Sequence, residues 1–443
     1  MKPGMLERHA ITAPLAPAHA RPGRRLPLAY SLMIAAWVLD FRSEGQGQGL
    51  AIQAVWLSLY LLGLLLFVVS DRQRGLQIRG LPSLLLCGAL YLIVAIASGI
   101  DYDQPIYPIL RNGTSVFVYL SGAYATARVV MTHDPAILRK LLAVFCAVYA
   151  VTFFFIFEVT SGGINLSTIR YQIIGTSSIA ALGYVTLTLL FRLTYVELAA
   201  LVANLVILLI AVTRTFLFSF AAQILPLLIE FRRVFSPRLA LVGLAGIAVF
   251  LGVSQFGGGQ VVRWEDRLAG RDAHDVGYQT YFTRLEEWEY MYGEWTSTGS
   301  KFMLGAGLAA QTKYHNVRAA GGNEENMIGF GHNQHLSLLF DAGVIGGIPI
   351  LLVQFLQAAL ALRFLRRVVQ FRGRRSDVLF LGAWGATIVL GNVAANFLAA
   401  SFVLRGLALW YGIGTGLLLG AQARFDPANS ANRLQPAKRT RPT

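Results

Sequence analysis

His332 stands where a long polar segment ends and a strongly apolar one begins, in the run Gly331-His332-Asn333-Gln334-His335-Leu336-Ser337. A neutral imidazole at such a boundary can take a proton from a hydroxyl near neutral pH. Other ionisable groups are scarce in the apolar blocks and gather at block ends: Arg111, Arg170, Arg214, Arg405 and Glu158, with Asp341 just inside the block that follows His332. Charges inside hydrocarbon are costly and mark function there. Arginine's planar fork suits phosphate oxygens. A base beside several arginines at one membrane face is therefore equipped to transfer a group from a phosphorylated lipid. Each arginine also has a plainer reading, a side chain snorkelling to the interface. Arg263, Arg267, Arg271 and Arg318 read as solvated loop charges.

Asp341 lies nine residues beyond His332, two and a half helical turns, on roughly the opposite face. It is expected to pair with another helix and not to orient His332. His335, His315, Glu324 and Glu325 invite a metal reading, but their spacing is no strong zinc pattern. No metal is expected.

These residues need a frame, and composition describes it. The chain of 443 residues is 55% hydrophobic and 14% charged, against about a quarter charged in soluble domains. Its apolar residues fall into blocks of roughly 20, enough to span a bilayer as a helix. The expected fold is all-α: a polytopic membrane bundle of about 12 transmembrane helices with one large periplasmic loop containing short helices. The net charge of +15 reads as positive cytoplasmic loops and not as a nucleic-acid surface. Cys87 and Cys146 both sit in apolar blocks, so no disulfide framework is implied.

The expected spans are 28–41, 49–70, 80–99, 107–127, 137–158, 171–191, 194–212, 215–230, 238–255, 333–362, 378–399 and 402–421. With both termini in the cytoplasm, 26 of the 38 Lys and Arg residues fall on the cytoplasmic side, as the positive-inside rule requires. The organisation follows: a cytoplasmic tail (1–27), nine spans (28–255), a periplasmic catalytic loop (256–332), three spans (333–421) and a second cytoplasmic tail (422–443). Within the loop, residues 281–292 carry aromatic and charged side chains at helical spacing, an amphipathic helix. Thr298-Gly299-Ser300 breaks it, and Leu304-Gly305-Ala306-Gly307-Leu308 forms a small apolar turn.

Gly343 and Gly346 follow His332-Asn333 in a Gly-x-x-Gly spacing, where small residues let helices approach closely. This His-Asn-x9-Gly-x-x-Gly arrangement resembles the signature of the O-antigen ligase/polymerase family. Over residues 165–350 the order of further pieces is similar: Arg170 with a following Gly175, Thr213-Arg214, Arg284 to Trp288, and Gly305-Ala306-Gly307. The family's acidic residue before the motif glycine corresponds to Asp341. His335 departs from the pattern, since an aromatic such as Tyr is common there, and leaves room for different acceptor contacts.

The resemblance implies a glycosyltransferase of the bacterial inner membrane, working at its periplasmic face without a metal or other cofactor. The donor is a glycan on a polyprenyl diphosphate, bound among membrane lipids. Arg170, Arg214 and Arg284 hold the diphosphate. His332 deprotonates the acceptor hydroxyl, and Asn333, His335, Asp341, Arg111 and Arg405 give support. The acceptor is a second glycan if the protein is a polymerase, or lipid A core or a protein if it is a ligase. Other polysaccharide-assembly proteins are expected partners. The competing non-enzymatic reading is a lipid-glycan flippase or transporter, which calls for ionisable groups and broken helices near the bilayer midplane.

Overall fold

The computed structural model describes residues 25–38, 50–71, 77–161, 178–211, 214–229, 276–316, 324–328, 331–370, 376–403 and 405–425. Among the described residues, eight helices precede the large loop: α1 (Arg25–Val38), α2 (Leu50–Ser70), α3 (Leu81–Asp101), α4 (Ile106–Thr132), α5 (Pro135–Ser161), α6 (Ser178–Thr188), α7 (Tyr195–Ala211) and α8 (Arg214–Ile229). The loop contributes α9 (Val276–Trp295), the short α10 (Gly299–Leu304) and two strands, β1 (Thr312–Asn316) and β2 (Glu324–Ile328). After it come α11 (Gln334–Ala342), a π-helical turn (Gly343–Gly347), α12 (Ile348–Gln370), α13 (Asp377–Ala395) and α14 (Arg405–Phe425).

The protein is mostly helical, with several apolar helices of a membrane bundle. Four segments are long and apolar enough to cross a bilayer among the described residues: Leu81–Asp101, Pro135–Thr152, Gln334–Gln370 and Asp377–Ala395. Four shorter apolar helices accompany them. Twelve spans is thus more than these helices establish. The span expected at 238–255 lies outside the described residues, as do 1–24 and 426–443 of the tails and Arg170, Arg263, Arg267, Arg271 and Arg318; residues 25–27 and 422–425, expected in the tails, belong to the first and last helices.

α14 is the axis of the bundle. Gly412, Gly416 and Gly420 recur every four residues along it and face α4. A β-carbon at these three positions would meet backbone oxygens of Tyr119, Ala123 and Ala127 at 2.3, 2.5 and 2.8 Å. Only glycine permits that approach. On the other side, a β-carbon on Gly385 of α13 would meet the Gly414 carbonyl at 2.5 Å. These stripes bring α4, α13 and α14 into contact along their lengths. The core mixes aliphatic, small and aromatic side chains, among them Trp384, Trp410, Tyr119 and Tyr411.

Ion pairs of Arg128 and Arg139 tie the end of the bundle away from His332. The Arg128 guanidinium grips Asp71 with bonds of 2.7 and 2.8 Å. Arg139 of α5 donates to Glu197 at 2.6 and 2.8 Å and to Asp377 of α13 at 2.9 Å. Its guanidinium carbon lies 3.6 Å from the Phe380 ring centre. Glu197 also accepts from the Thr194 backbone at 2.7 Å, and Thr194 Oγ1 accepts from the Glu197 backbone at 3.3 Å. This is a capping box that starts α7.

The loop is not purely helical. β1 and β2 form an antiparallel ribbon with Thr312 opposite Ile328 and Asn316 opposite Glu324. The amphipathic helix expected at 281–292 exists and runs longer, over Val276–Trp295. Thr298 ends the break by capping α10, its side chain accepting from the Lys301 backbone at 3.2 Å.

Candidate functional site

α11 presents His332, and its first turn is anchored on every side. Asn333 is the N-cap, its side chain accepting from the Leu336 backbone at 3.1 Å. An Asn there satisfies an N–H that the helix itself leaves unpaired. The Gln334 backbone N–H is shared between the carbonyls of Asn396 and Ala399 at 2.9 and 3.1 Å, and its side-chain oxygen accepts from Phe402 at 2.9 Å. His335 is buried between Phe355 and Phe397, with ring centroids 5.1 and 4.5 Å away, and its Nε2 lies 3.0 Å from the Val393 carbonyl. It therefore occupies an aromatic slot. Asn333 likewise serves the helix end.

His332 sits just before this anchored turn and is held by Glu287 of α9. The carboxylate accepts the His332 backbone N–H at 2.7 Å and lies 3.0 Å from Nδ1 through Oε2. Glu287 has no exposed side-chain area, while His332 is 22% exposed. Arg284 donates to the same Oε2 at 3.2 Å, and the Thr312 side chain hydrogen-bonds to the carboxylate as well. Burial pushes the Glu287 pKa up to about 7, against the opposing pull of Arg284 and Thr312. When ionised, Glu287 can only accept, so Nδ1 carries the proton and the basic lone pair is on Nε2. A carboxylate that fixes an imidazole in this way makes it a base of defined direction.

Glu287 was not singled out in the sequence, although a signal for it exists. Thr283, Glu287 and Met291 recur every four residues and are all buried. An acid on the apolar stripe of an amphipathic helix is a misplaced charge. Its acidic neighbours in Glu286-Glu287-Trp288-Glu289 mask that signal.

The Gly305–Gly307 turn completes the frame. The backbone N–H groups of Ala306 and Gly307 donate to the Phe340 and Asp341 carbonyls of α11 at 2.7 and 3.1 Å. Leu308 donates to the Ala95 carbonyl of α3 at 3.0 Å, and Asn112 of α4 donates to the Leu308 carbonyl at 2.8 Å. Thus α3, α4 and α11 are all sewn to one turn. Asp341 pairs with another helix, as its position suggests: the Tyr91 hydroxyl of α3 donates to it at 2.8 Å.

The structure brings Arg284 to His332 and disperses two of the other expected arginines. Arg405 lies over the Trp56 ring, 4.7 Å from its centre. Arg111 lines a separate cleft beside Tyr102 and Tyr290. Arg214 begins α8, and its side chain is outside the described residues, as is Arg170. No cluster of three or more His, Cys, Asp or Glu side chains fit for a metal occurs among the described residues.

The chain matches no protein-family model and no curated protein. What can be said of its chemistry therefore rests on the site. That site is an imidazole oriented by a buried carboxylate, with a guanidinium bonded to the same carboxylate, at the start of a long apolar helix.

Proposed function

We propose that this protein is an inner-membrane glycan polymerase. In this reading it joins polyprenyl-diphosphate-linked oligosaccharide units at the periplasmic face by metal-independent glycosyl transfer. The observation that carries the reading is the Glu287–His332 pair, with the Nδ1–Oε2 contact at 3.0 Å. Nε2 of His332 takes the proton of an acceptor sugar hydroxyl. The oxygen attacks the anomeric carbon of the donor, the bond from that carbon to the diphosphate oxygen breaks, and configuration inverts. The polyprenyl diphosphate leaves with the electron pair. Its charge goes to arginines, Arg284 beside His332 together with Arg170 and Arg214. A diphosphate is already a good leaving group, so base and cations suffice.

Transfer to lipid A core or to a protein uses the same chemistry and makes the protein a ligase. The transporter reading is weakened by Asp341, the acid it needs within the apolar blocks. That side chain is engaged by Tyr91, and its backbone carbonyl bonds the Gly307 turn, which suits a structural joint better than a moving carrier. The deciding experiment follows purified protein in nanodiscs with lipid-linked repeat units. Lengthened lipid-linked chains support the polymerase; products only on added lipid A core indicate the ligase. Turnover equal in His332→Ala and wild type would rule out both.

A further inference from the structure

A cleft of about 750 Å³ opens between the α3–α4 turn, the C-terminal half of α9 and the turn after α10. Its size is that of a small-molecule site. We propose that this cleft is a binding subsite for uncharged sugar residues of the glycan, separate from the residues that react. The inference rests on the glycosyl-transfer reading above and names what the remote part of that substrate touches.

The charges of the wall decide against a second diphosphate site. Arg111 and Lys301 are matched by Asp103 and Glu294, and Lys301 is already ion-paired with Glu294. With no net field, the cleft has nothing to hold a dianion. It does offer hydrogen bonds of both senses. No hydrogen bond or ion pair engages the side chains of Asp103, Arg111 or Gln311 among the described residues. A carboxylate, a guanidinium and an amide supply acceptors, donors and both together, the needs of sugar hydroxyls. Tyr102 and Tyr290 also line the wall, with Lys301 and Lys313 over their rings at 5.5 and 5.6 Å.

The floor is built in advance. Gln104 donates to the Ala306 carbonyl at 2.6 Å and accepts from the Ala309 backbone at 2.9 Å. A rigid floor lowers the cost of ordering on binding. His332 does not line the cleft. Tyr290 and Glu294 lie one and two turns beyond Glu287 on α9, so the cleft begins roughly 5–10 Å from that carboxylate along the helix. An oligosaccharide whose terminal hydroxyl meets His332 can reach it.

The test uses the lipid-free oligosaccharide released by mild acid from the lipid-linked glycan of the producing cell. It is titrated by calorimetry into full-length protein in nanodiscs. Wild type and His332→Ala bind it. Gln311→Trp, which puts a ring into the cleft from an exposed position, weakens binding about tenfold or more and raises KM by a similar factor, with kcat within about twofold. Asp103→Asn weakens both in the same direction, and Asn tolerates the left-handed backbone at this position (φ +52°). Thermal unfolding confirms that both variants fold. If wild type turns over while Gln311→Trp keeps its affinity and KM, the subsite is wrong and the transferase reading stands. If wild type does not turn over yet binds sugar in a way that Gln311→Trp abolishes, the transferase reading is wrong and the subsite stands.

Discussion

Gly305 and Gly343 meet backbone to backbone. A β-carbon on Gly305 would lie 2.4 Å from the Asp341 carbonyl, and one on Gly343 would lie 2.5 Å from the Met303 carbonyl and 2.6 Å from the Gly305 nitrogen. Both residues have positive φ, +83° and +58°. The Gly-x-Gly of the loop and the first glycine of the Gly-x-x-Gly are thus two halves of one joint, which fixes the loop to the helix that carries His332. Gly346 plays the part expected of a small residue between helices: a β-carbon there would lie 3.1 and 3.3 Å from Val94 and Tyr91 of α3.

Substitution at this joint therefore costs more than at an ordinary helix contact. Gly305→Ala and Gly343→Ala each combine a left-handed backbone penalty with overpacking, about 2–4 kcal/mol together. Both should lower the melting temperature in detergent and lose transfer. Gly346→Ala should be milder, about 1–2 kcal/mol. Tryptophan fluorescence on heating ranks the three. Equal melting of wild type and Gly305→Ala would contradict the joint.

Much of this site was legible in the chain. The change from polar to apolar residues at 331–336 marks a helix start, and Asn333 is its cap. Helical arithmetic sent Asp341 to another helix, where Tyr91 receives it. What escaped the sequence depends on contacts distant in the chain. Glu287 and His332 are 45 residues apart, and Arg139 and Asp377 are 238 apart. The β1–β2 ribbon, rich in charge and only five residues per strand, has no alternation strong enough to read. The π turn at Gly343–Gly347, with Gly343 at positive φ close to Met303, has no local pattern that announces it. Arg128 and Arg139, counted as positive-inside residues, proved to be ion-pair partners.

The Glu287–His332 pair predicts a separation of activity from stability. Glu287→Gln keeps shape but offers an amide N–H to Nδ1, which moves the ring proton to Nε2 and removes the base. Transfer should fall by about 10²–10⁴-fold. The pH dependence has a definite sign. The folded pKa of about 7 lies above the ordinary carboxylate value of 4.5, so the folded state favours the protonated acid. That stability is present below about pH 4.5 and is lost as pH rises to about 7. The melting temperature of Glu287→Gln relative to wild type should thus rise between pH 5 and 8. Wild-type transfer should increase through about pH 7 as the carboxylate forms. A flat profile through this range would refute the assignment.

Arg139 tests the frame far from the chemistry. Arg139→Ala leaves Glu197, with 1% of its side chain exposed, as a buried charge without its cation. Removing one partner of such a pair costs about 3–5 kcal/mol. The variant should melt well below wild type and accumulate poorly in membranes. Its folded fraction should keep a normal KM, measured after normalising to folded protein by size exclusion.

Topology can be probed at two exposed positions. The excess of Lys and Arg on one side predicts that the loop lies outside the cytoplasm. Ser297 and Gln370 are exposed, and Cys87 and Cys146 can first be replaced by Ala. An impermeant maleimide added to intact spheroplasts should then label Ser297→Cys and spare Gln370→Cys until the membrane is opened. Labelling in the reverse order would invert the orientation and put His332 in the cytoplasm, out of reach of a periplasmic donor.

His332 and His335, three residues apart, should respond to substitution in different ways. His332 is partly exposed and its ring is directed by Glu287, so His332→Ala removes the proton acceptor and little packing. Turnover should drop by about 10²–10⁴-fold, with near-normal melting and retained binding of the lipid-linked donor. His335→Ala empties a slot between Phe355 and Phe397 and leaves the Val393 carbonyl without its partner. Its cost should appear as about 2–4 kcal/mol of stability, with turnover per folded molecule reduced far less. EDTA should leave wild-type turnover unchanged, because the cations of this mechanism are arginines. Turnover that EDTA abolishes and zinc or magnesium restores, or a His332→Ala variant as active as wild type, would remove the metal-free base from the mechanism.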